Sequence, residues 1–208
     1  MGGTVTHRHD EDASVQGLAN AADMRRAPRH TLLIRAAKLV TRDGEFLGII
    51  RDVSETGISM CIFHELPTCP SYIVELQNGD RYGAELVWQN EERAGFRFNT
   101  QADVARIIES PSEFEKRPVR LNICAPAQVE VDGRVDTATI HDISQQGAKI
   151  ACHSSYAIDR HVQLSAPGMP KRFAKIRWRS EGTCGLVFED TLQYAELARI
   201  ARALQATD

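Results

Sequence analysis

Residues 52–57 read DVSETG, and residues 142–147 read DISQQG. The stretches around these two hexapeptides repeat as well. The matching pairs are RRAPR at 25–29 with KRPVR at 116–120, and LVWQNEERAGFRF at 86–98 with IRWRSEGTCGLVF at 176–188. A chain that contains several related stretches in the same order is typical of an internal duplication.

The spacing between the landmarks supports this duplication. Gly57 precedes Trp88 by 31 positions, and Gly147 precedes Trp178 by the same 31 positions. Each tryptophan is followed by a glycine seven positions later. Coincidence does not keep landmarks in register over this distance, so the sequence predicts two copies of one domain.

Each copy is rich in short, β-branched or alternating runs that are separated by turn residues. The turns QNGDR at 77–81 and VDGR at 131–134 predict type I′ hairpins. Six short strands in under 80 residues favour a closed antiparallel barrel, because closure removes unpaired edges. Helical periodicity occurs only at 101–110 and 191–204. We therefore expect a mainly β protein with two tandem six-stranded barrels, each followed by a helix.

The same landmarks give the expected domain boundaries. Residues 1–23 are polar and predict a disordered N-terminal tail. The first domain is expected at 24–110 and the second at 116–208, with a short linker at 111–115.

Composition excludes several classes of function. The content of 42% hydrophobic and 25% charged residues is ordinary for a soluble protein. The net charge of −3 argues against a protein whose main role is to cover nucleic acid. No apolar run suggests a membrane span or a signal peptide, so we expect a cytoplasmic protein with no membrane partner. The five cysteines form no Cys-x-x-Cys pair, and no metal site is expected. Nucleophile-elbow, P-loop and zinc-protease motifs do not occur, so no catalytic residue is assigned.

Two groups of side chains in the first copy complement a guanine nucleotide. Arg25 and Arg29 flank Pro28, and guanidinium groups bind phosphate oxygens and the O6/N7 edge of guanine. Asp52 accepts hydrogen bonds and suits the N–H donors of guanine, while Ser54 can donate or accept. Gly57 is expected to allow a tight or positive-φ turn and the close approach of a ligand.

The first copy resembles the PilZ family in four successive motifs. They are R-x-x-x-R, D-x-S-x-x-G about 20 residues later, a strand that contains VW, and a closing GFRF. This resemblance covers nearly everything from Met24 onward, twice. It implies a bacterial receptor for the second messenger cyclic di-GMP, which would need no other cofactor. It also implies signalling through rearrangement of the arginine segment and the interdomain contacts. The implied ligand residues are Arg25, Arg26, Arg29, Asp52, Ser54 and Gly57.

The second copy departs from this pattern at one position. Lys116 occupies the place of Arg25, although Arg117 and Arg120 align with Arg26 and Arg29. Lysine neutralises a phosphate but lacks the planar fork of arginine. The remaining motif is intact, so a weaker second site would comprise Lys116, Arg117, Arg120, Asp142, Ser144 and Gly147. Alternatively, this domain faces a protein partner and has lost the ligand.

Two other interpretations of the chain stay open. One is a PilZ-like interaction module that no longer binds nucleotide and works through an unidentified protein partner. The other is a small-barrel nucleic-acid binder that uses the basic strand KRFAKIRWR at 171–179. We expect no nucleic-acid partner, because aromatic residues other than Phe173 are not interleaved on that strand face. Trp88 and Trp178 are expected in the core rather than as stacking platforms.

Overall fold

The computed structural model describes residues 30–109, 118–152 and 156–206. Within these ranges, twelve strands form two closed antiparallel barrels, and a helix follows each barrel, which confirms the predicted fold class. The expected tail at 1–23 and the expected linker at 111–115 lie outside the described residues.

The first barrel has the strand order β1-β2-β3-β6-β5-β4. Its elements are β1 (His30–Thr41), β2 (Gly44–Ser54), β3 (Gly57–Cys61), β4 (Tyr72–Leu76), β5 (Arg81–Gln89), β6 (Arg93–Phe98) and the helix α1 (Val104–Glu109).

The second barrel repeats this order as β7-β8-β9-β12-β11-β10. Its elements are β7 (Arg120–Val131), β8 (Arg134–Ser144), β9 (Gly147–Cys152), β10 (His161–Ala166), β11 (Met169–Ser180), β12 (Thr183–Phe188) and the helix α2 (Tyr194–Gln205). The equality of the two orders lets each strand of one barrel be matched to a strand of the other.

Only one of the two predicted type I′ turns forms. Asp132 and Gly133 have φ of 51° and 78°, as a type I′ turn requires. In the other hairpin Gly79 has φ of 88°, whereas Asn78 is not among the described residues with positive φ. The Gly79 N–H donates to the Leu76 carbonyl at 2.9 Å, which produces a three-residue loop with glycine in the left-handed region. The type I′ prediction for Asn78–Gly79 was therefore wrong.

Strict alternation of buried and exposed residues produces the barrel interiors. Along β7 every second side chain from Leu121 to Val129 is buried, which is the period of a strand with one face in a core. In the first barrel the rings of Tyr72 and Phe96 meet edge to face, with their centroids 5.3 Å apart. These apolar interiors leave only the outer faces of the strands for binding.

Helix α1 is attached to the first barrel by arginine side chains. Arg106 donates two hydrogen bonds to the Asp80 carboxylate, at 2.8 and 2.7 Å. These hydrogen bonds lower the pKa of Asp80 below its ordinary value. Arg35 donates to the Ile107 carbonyl at 2.7 Å, and Ile107 is fully buried. The helix is thus fixed against the barrel by both polar and apolar contacts.

Strand β2 packs on both of its faces. Leu47 and Ile49 are 1% and 7% exposed, and they belong to the same apolar cluster as Ile123 of β7 and Leu204 of α2. The two barrels therefore share one continuous apolar contact, in which the β1–β2 hairpin lies against β7 and α2.

A polar network centred on Glu45 borders this contact. The Glu45 carboxylate accepts hydrogen bonds from the backbone N–H and the side-chain amide of Asn122, at 2.7 and 2.8 Å. Lys38 lies 3.0 Å from the same carboxylate. Gln205 of α2 accepts from the Glu45 N–H at 2.8 Å and donates to its carbonyl at 3.0 Å.

Neither α1 nor α2, the helices of the described chain, has the apolar length that a bilayer crossing requires.

Candidate functional site

The motif aspartate of the first barrel lies in a row of residues that crosses four strands. Asp52 of β2 pairs with Ser59 of β3, Ser59 pairs with Gly95 of β6, and Gly95 pairs with Trp88 of β5. The Ser59 hydroxyl donates to the Asp52 carboxylate at 3.0 Å. This hydrogen bond orients the carboxylate on the outer surface of the barrel.

A second row runs beside the first, two or three residues away along each strand. It pairs Ser54 with Gly57, Gly57 with Arg97, and Arg97 with Glu85. Arg97 also forms an exposed ion pair with Glu85, with 2.6 Å between nitrogen and oxygen. We call the outer surface formed by these two rows the first site face.

A pocket of about 370 Å³ opens on the first site face. Residues of both rows line it, among them Asp52, Ser54, Trp88 and Arg97. In the described part of the chain, no group of three or more His, Cys, Asp and Glu side chains could hold a metal ion. The pocket therefore offers a carboxylate, hydroxyl groups, one guanidinium and an aromatic ring.

The arginine segment directly precedes β1 in the sequence, and the start of β1 lies beside this pocket. Arg25, Arg26 and Arg29 lie outside the described residues, but Arg29 is followed directly by His30, the first residue of β1. His30 pairs with Val53, which lies between the two motif residues of β2. The structure thus places the start of β1 next to the DVSETG motif.

Gly57 closes a tight turn, because it pairs with Ser54 across the two turn residues Glu55 and Thr56, but the positive φ is not observed. Its φ is not among the positive values, so it does not supply a left-handed turn. A Cβ at this position would lie 2.4 Å from the Phe96 carbonyl oxygen. Gly57 is required because β3 approaches the backbone of β6 closely. The Ser54 hydroxyl donates to the Gly57 carbonyl at 3.3 Å and lies 3.5 Å from the Thr56 hydroxyl. Ser54 is only 7% exposed, although it lines the pocket.

The expectation that Trp88 and Trp178 lie in the core was wrong, since they are 45% and 40% exposed. The register of β5 shifts between Leu86 and Trp88, and this β-bulge moves Trp88 to the outer face. A Cβ on Gly95 would lie 2.2 Å from the indole Nε1, so the ring lies flat over this glycine. Sequence spacing alone did not reveal the bulge.

The second barrel presents an equivalent surface, which we call the second site face. Its first row comprises Asp142, Lys149, Gly185 and Trp178, and its second row comprises Ser144, Gly147, Val187 and Lys175. Arg120 lies 3.2 Å from the Asp142 carboxylate. Lys116 and Arg117 lie outside the described residues. The motif residues from Asp142 onward therefore occupy the same positions as in the first barrel, while their neighbours differ.

Ser59 and Arg97 are pocket residues that the sequence analysis missed. Ser59 lies two positions after Gly57, and strand alternation alone would have placed it on the same face. Arg97 requires the pairing of β3 with β6, which only the tertiary structure supplies.

The model of the PilZ domain family matches residues 23–110 of the chain. The first domain is a PilZ domain. The match includes the arginine segment and every residue of the first site face. The strand order of the second barrel equals that of the PilZ domain.

Three bacterial proteins are among the similar solved structures. PlzA of Borreliella burgdorferi, in complex with c-di-GMP, is 13% identical, with coverage of 89% of this chain and 98% of that chain and a TM-score of 0.35. The Bacillus subtilis inhibitor of motility MotI/DgrA is 10% identical, with coverage of 84% and 97% and a TM-score of 0.37. YcgR of Escherichia coli, in complex with c-di-GMP, is 12% identical, with coverage of 82% and 80% and a TM-score of 0.30.

All three TM-scores are below 0.5, so the family assignment of the first domain rests on the sequence match alone. No curated protein matches the chain significantly.

Proposed function

We propose that this chain is a bacterial cyclic di-GMP receptor whose PilZ domain holds the ligand on the first site face. In this proposal Arg25, Arg26 and Arg29 bind phosphate and the O6/N7 edge of guanine. Asp52 accepts from the N–H donors of the guanine base, and Ser54 adds a hydrogen bond. No further cofactor and no catalytic step are involved.

The observation that carries the proposal is the pocket beside the start of β1. The pocket contains Asp52 and Ser54, and β1 begins at His30, one residue after the arginine segment. Guanidinium groups and an ionised carboxylate would therefore meet opposite edges of one base. Trp88 adds exposed aromatic surface to the pocket lining, which suits a planar base.

Strand β2 offers a physical route from this site to the second barrel. Its end carries Asp52 and Ser54, and its beginning carries Glu45, Leu47 and Ile49 in the interdomain contact. Glu45 and Asp52 lie about 23 Å apart along this extended strand. We propose that rearrangement of the arginine segment alters this contact, and that the altered contact is what a partner protein recognises.

Calorimetric titration of the full chain with cyclic di-GMP tests the proposal. Arg29→Ala should weaken binding by about 5- to 150-fold, because one bidentate guanidinium contact contributes about 1–3 kcal/mol. Arg42→Ala is the matched control, since Arg42 is 74% exposed in the β1–β2 turn. Wild-type affinity in Arg29→Ala would place the site elsewhere. The absence of any binding heat in the wild-type chain would favour the interaction-module alternative.

Hydrogen exchange tests the signalling route separately. Cyclic di-GMP should protect amides at 52–57 and also amides at 45–49, which lie at the contact with the second barrel. Protection confined to 52–57 would support binding without transmission through β2. Protection confined to 116–147 would assign the ligand to the second barrel.

A further inference from the structure

The second site face is much more basic than the first. By strand register, Lys149 occupies the position of Ser59, and Lys175 occupies the position of Glu85. Val187 occupies the position of Arg97. One further cation of this face follows on β11, where Arg177 aligns with Val87. Arg179 pairs with the buried Cys184 and lies on the opposite side of the strand.

These exchanges change the formal charge by three units. In the first barrel Glu85 and Arg97 cancel, whereas in the second barrel Lys149, Lys175 and Arg177 give +3. The surface therefore presents a local positive charge on a chain whose net charge is −3. Such an asymmetry indicates an anionic partner for this surface.

Exposed apolar groups lie between the cations. Phe173 and Val187 are 57% and 43% exposed, and Trp178 is 40% exposed. The register of β11 shifts between Ile176 and Trp178, as in β5, and this bulge directs the indole outward. A Cβ on Gly185 would lie 2.0 Å from the indole Nε1, so the ring lies flat on the strand with its other face outward.

The geometry points to a single-stranded nucleic acid as the occupant of this surface. We propose that it binds along β11, with phosphates near Lys149, Lys175 and Arg177 and a base stacked on Trp178. Cations beside exposed aromatic rings on a small barrel are the features by which proteins hold single strands without sequence preference. This binding is independent of the nucleotide site proposed for the PilZ domain.

The length of the basic strand favours a polymer over a mononucleotide. The cations on this face of β11 extend from Lys171 to Arg177, which spans about 20 Å of extended chain. Lys171 pairs with Glu130 at 3.0 Å and Arg177 pairs with Asp159 at 3.4 Å. The Lys171 and Arg177 side chains are 63% and 61% exposed, and exposed pairs are weak, so phosphates can replace the carboxylates.

Asp142 does not favour a second guanine site here. Its carboxylate lies 3.2 Å from Arg120, and its cross-strand neighbour is Lys149. Lys149 thus places a cation where the first site face has the neutral Ser59 hydroxyl. The expectation of no nucleic-acid partner assumed that aromatic residues other than Phe173 were missing from this face, and the outward Trp178 changes that premise.

Fluorescence anisotropy of a labelled oligothymidine of about 20 nucleotides with the full chain tests the proposal. Binding should be detectable in low salt and should fall steeply as salt rises, with a log–log slope near −2 for about three phosphates neutralised. Lys175→Glu should weaken binding at least about tenfold and make the slope shallower by about 0.7. Arg42→Glu is the charge-matched control in the first barrel and should change neither quantity.

A second pair of variants separates stacking from charge. Trp178→Ala should weaken binding about tenfold, whereas Trp88→Ala in the first barrel should leave it unchanged. Trp178→Phe retains a ring and should retain most of the affinity. Equal losses for Lys175→Glu and Arg42→Glu would overturn the proposal. So would binding of polyglutamate as tight as that of oligothymidine, which would assign the surface to an acidic protein, or no anisotropy change in low salt.

Discussion

The PilZ domain places Ser59 beside Asp52, whereas the second barrel places Lys149 beside Asp142. Asp52 accepts a hydrogen bond from a neutral hydroxyl at 3.0 Å, and Asp142 lies 3.2 Å from the cation Arg120. The cross-strand neighbour of the motif aspartate is thus a hydroxyl group in the first barrel and an ammonium group in the second. One backbone therefore supports two different surface chemistries.

The residues that both copies retain are mainly those that the barrel itself needs. Gly57 and Gly147 each face a backbone carbonyl of the neighbouring strand, and Gly95 and Gly185 each lie beneath a tryptophan. The pairs that differ, such as Ser59 and Lys149, are outward side chains. A motif that two duplicated domains share is therefore evidence of shared packing before it is evidence of a shared ligand.

The largest expected effect tests whether the motif glycines are structural. A Cβ at Gly57 would lie 2.4 Å from the Phe96 carbonyl oxygen, and one at Gly147 would lie 1.9 Å from that of Leu186. We expect Gly57→Ala and Gly147→Ala to lower the free energy of unfolding by about 3 kcal/mol, with Gly147→Ala the more severe. Denaturant unfolding measures both.

Gly79→Asn is the control for these glycines. A Cβ at Gly79 would have open space around it to at least 4 Å, and the φ of 88° is one that asparagine tolerates better than other residues. The cost of this substitution should be below about 1 kcal/mol. Unchanged stability in Gly57→Ala together with lost ligand binding would assign this glycine to the ligand instead.

The next prediction compares the two aspartates in ligand binding. Asp52→Ala should weaken cyclic di-GMP binding by about 5- to 150-fold, because it removes the acceptor for the guanine edge. Asp142→Ala is the matched variant in the second barrel and should change the affinity less than twofold. Calorimetry gives both values. A larger loss in Asp142→Ala would invert the assignment of the two barrels.

The contact between the barrels gives a smaller effect. Glu45→Ala removes the acceptor for both donors of Asn122 and one carboxylate beside Lys38. The free energy of unfolding should fall by about 1–3 kcal/mol, as expected for hydrogen bonds to a charged group. Glu130→Ala, which breaks only the exposed pair with Lys171, should cost less than about 1 kcal/mol. Equal losses in the free energy of unfolding would show that the Glu45 network stabilises the fold no more than an exposed ion pair does.

The smallest effect is a pH dependence at the same contact. Burial lowers the pKa of His64 below its ordinary value of 6.5, and Arg202 of α2 lowers it further. The unfolded chain therefore binds this proton more tightly, so stability is full above pH 6.5 and falls as the pH drops from there toward the folded-state pKa. His64→Gln should flatten the stability curve below about pH 6.5. A wild-type slope in His64→Gln would mean that other groups cause the acid sensitivity.

Local patterns were sufficient to predict much of the molecule. The duplication, the twelve strands and the positions of both helices follow from spacing and from periodicities of about 2 and 3.6 residues, which depend only on near neighbours in the chain. The juxtaposition of Asp52 and Ser54 at the end of one strand is local too, because the two residues are alternate positions of β2. The type I′ turn at Asp132–Gly133 was predicted correctly from the types of its two residues. The three-residue loop at Asn78–Gly79 depended instead on the register of the strands around it.

The tertiary structure decided which side chains face outward at the ends of β5 and β11. One extra residue in each strand reverses the alternation, so Trp88 and Trp178 lie outside although each follows an apolar run. It also decided that β2 is buried on both faces, because Leu47 and Ile49 lie against a second barrel far away in sequence. Alternation is a property of one strand, but bulges and interdomain contacts depend on pairing with distant strands, and that pairing is set only when the barrels close and pack together.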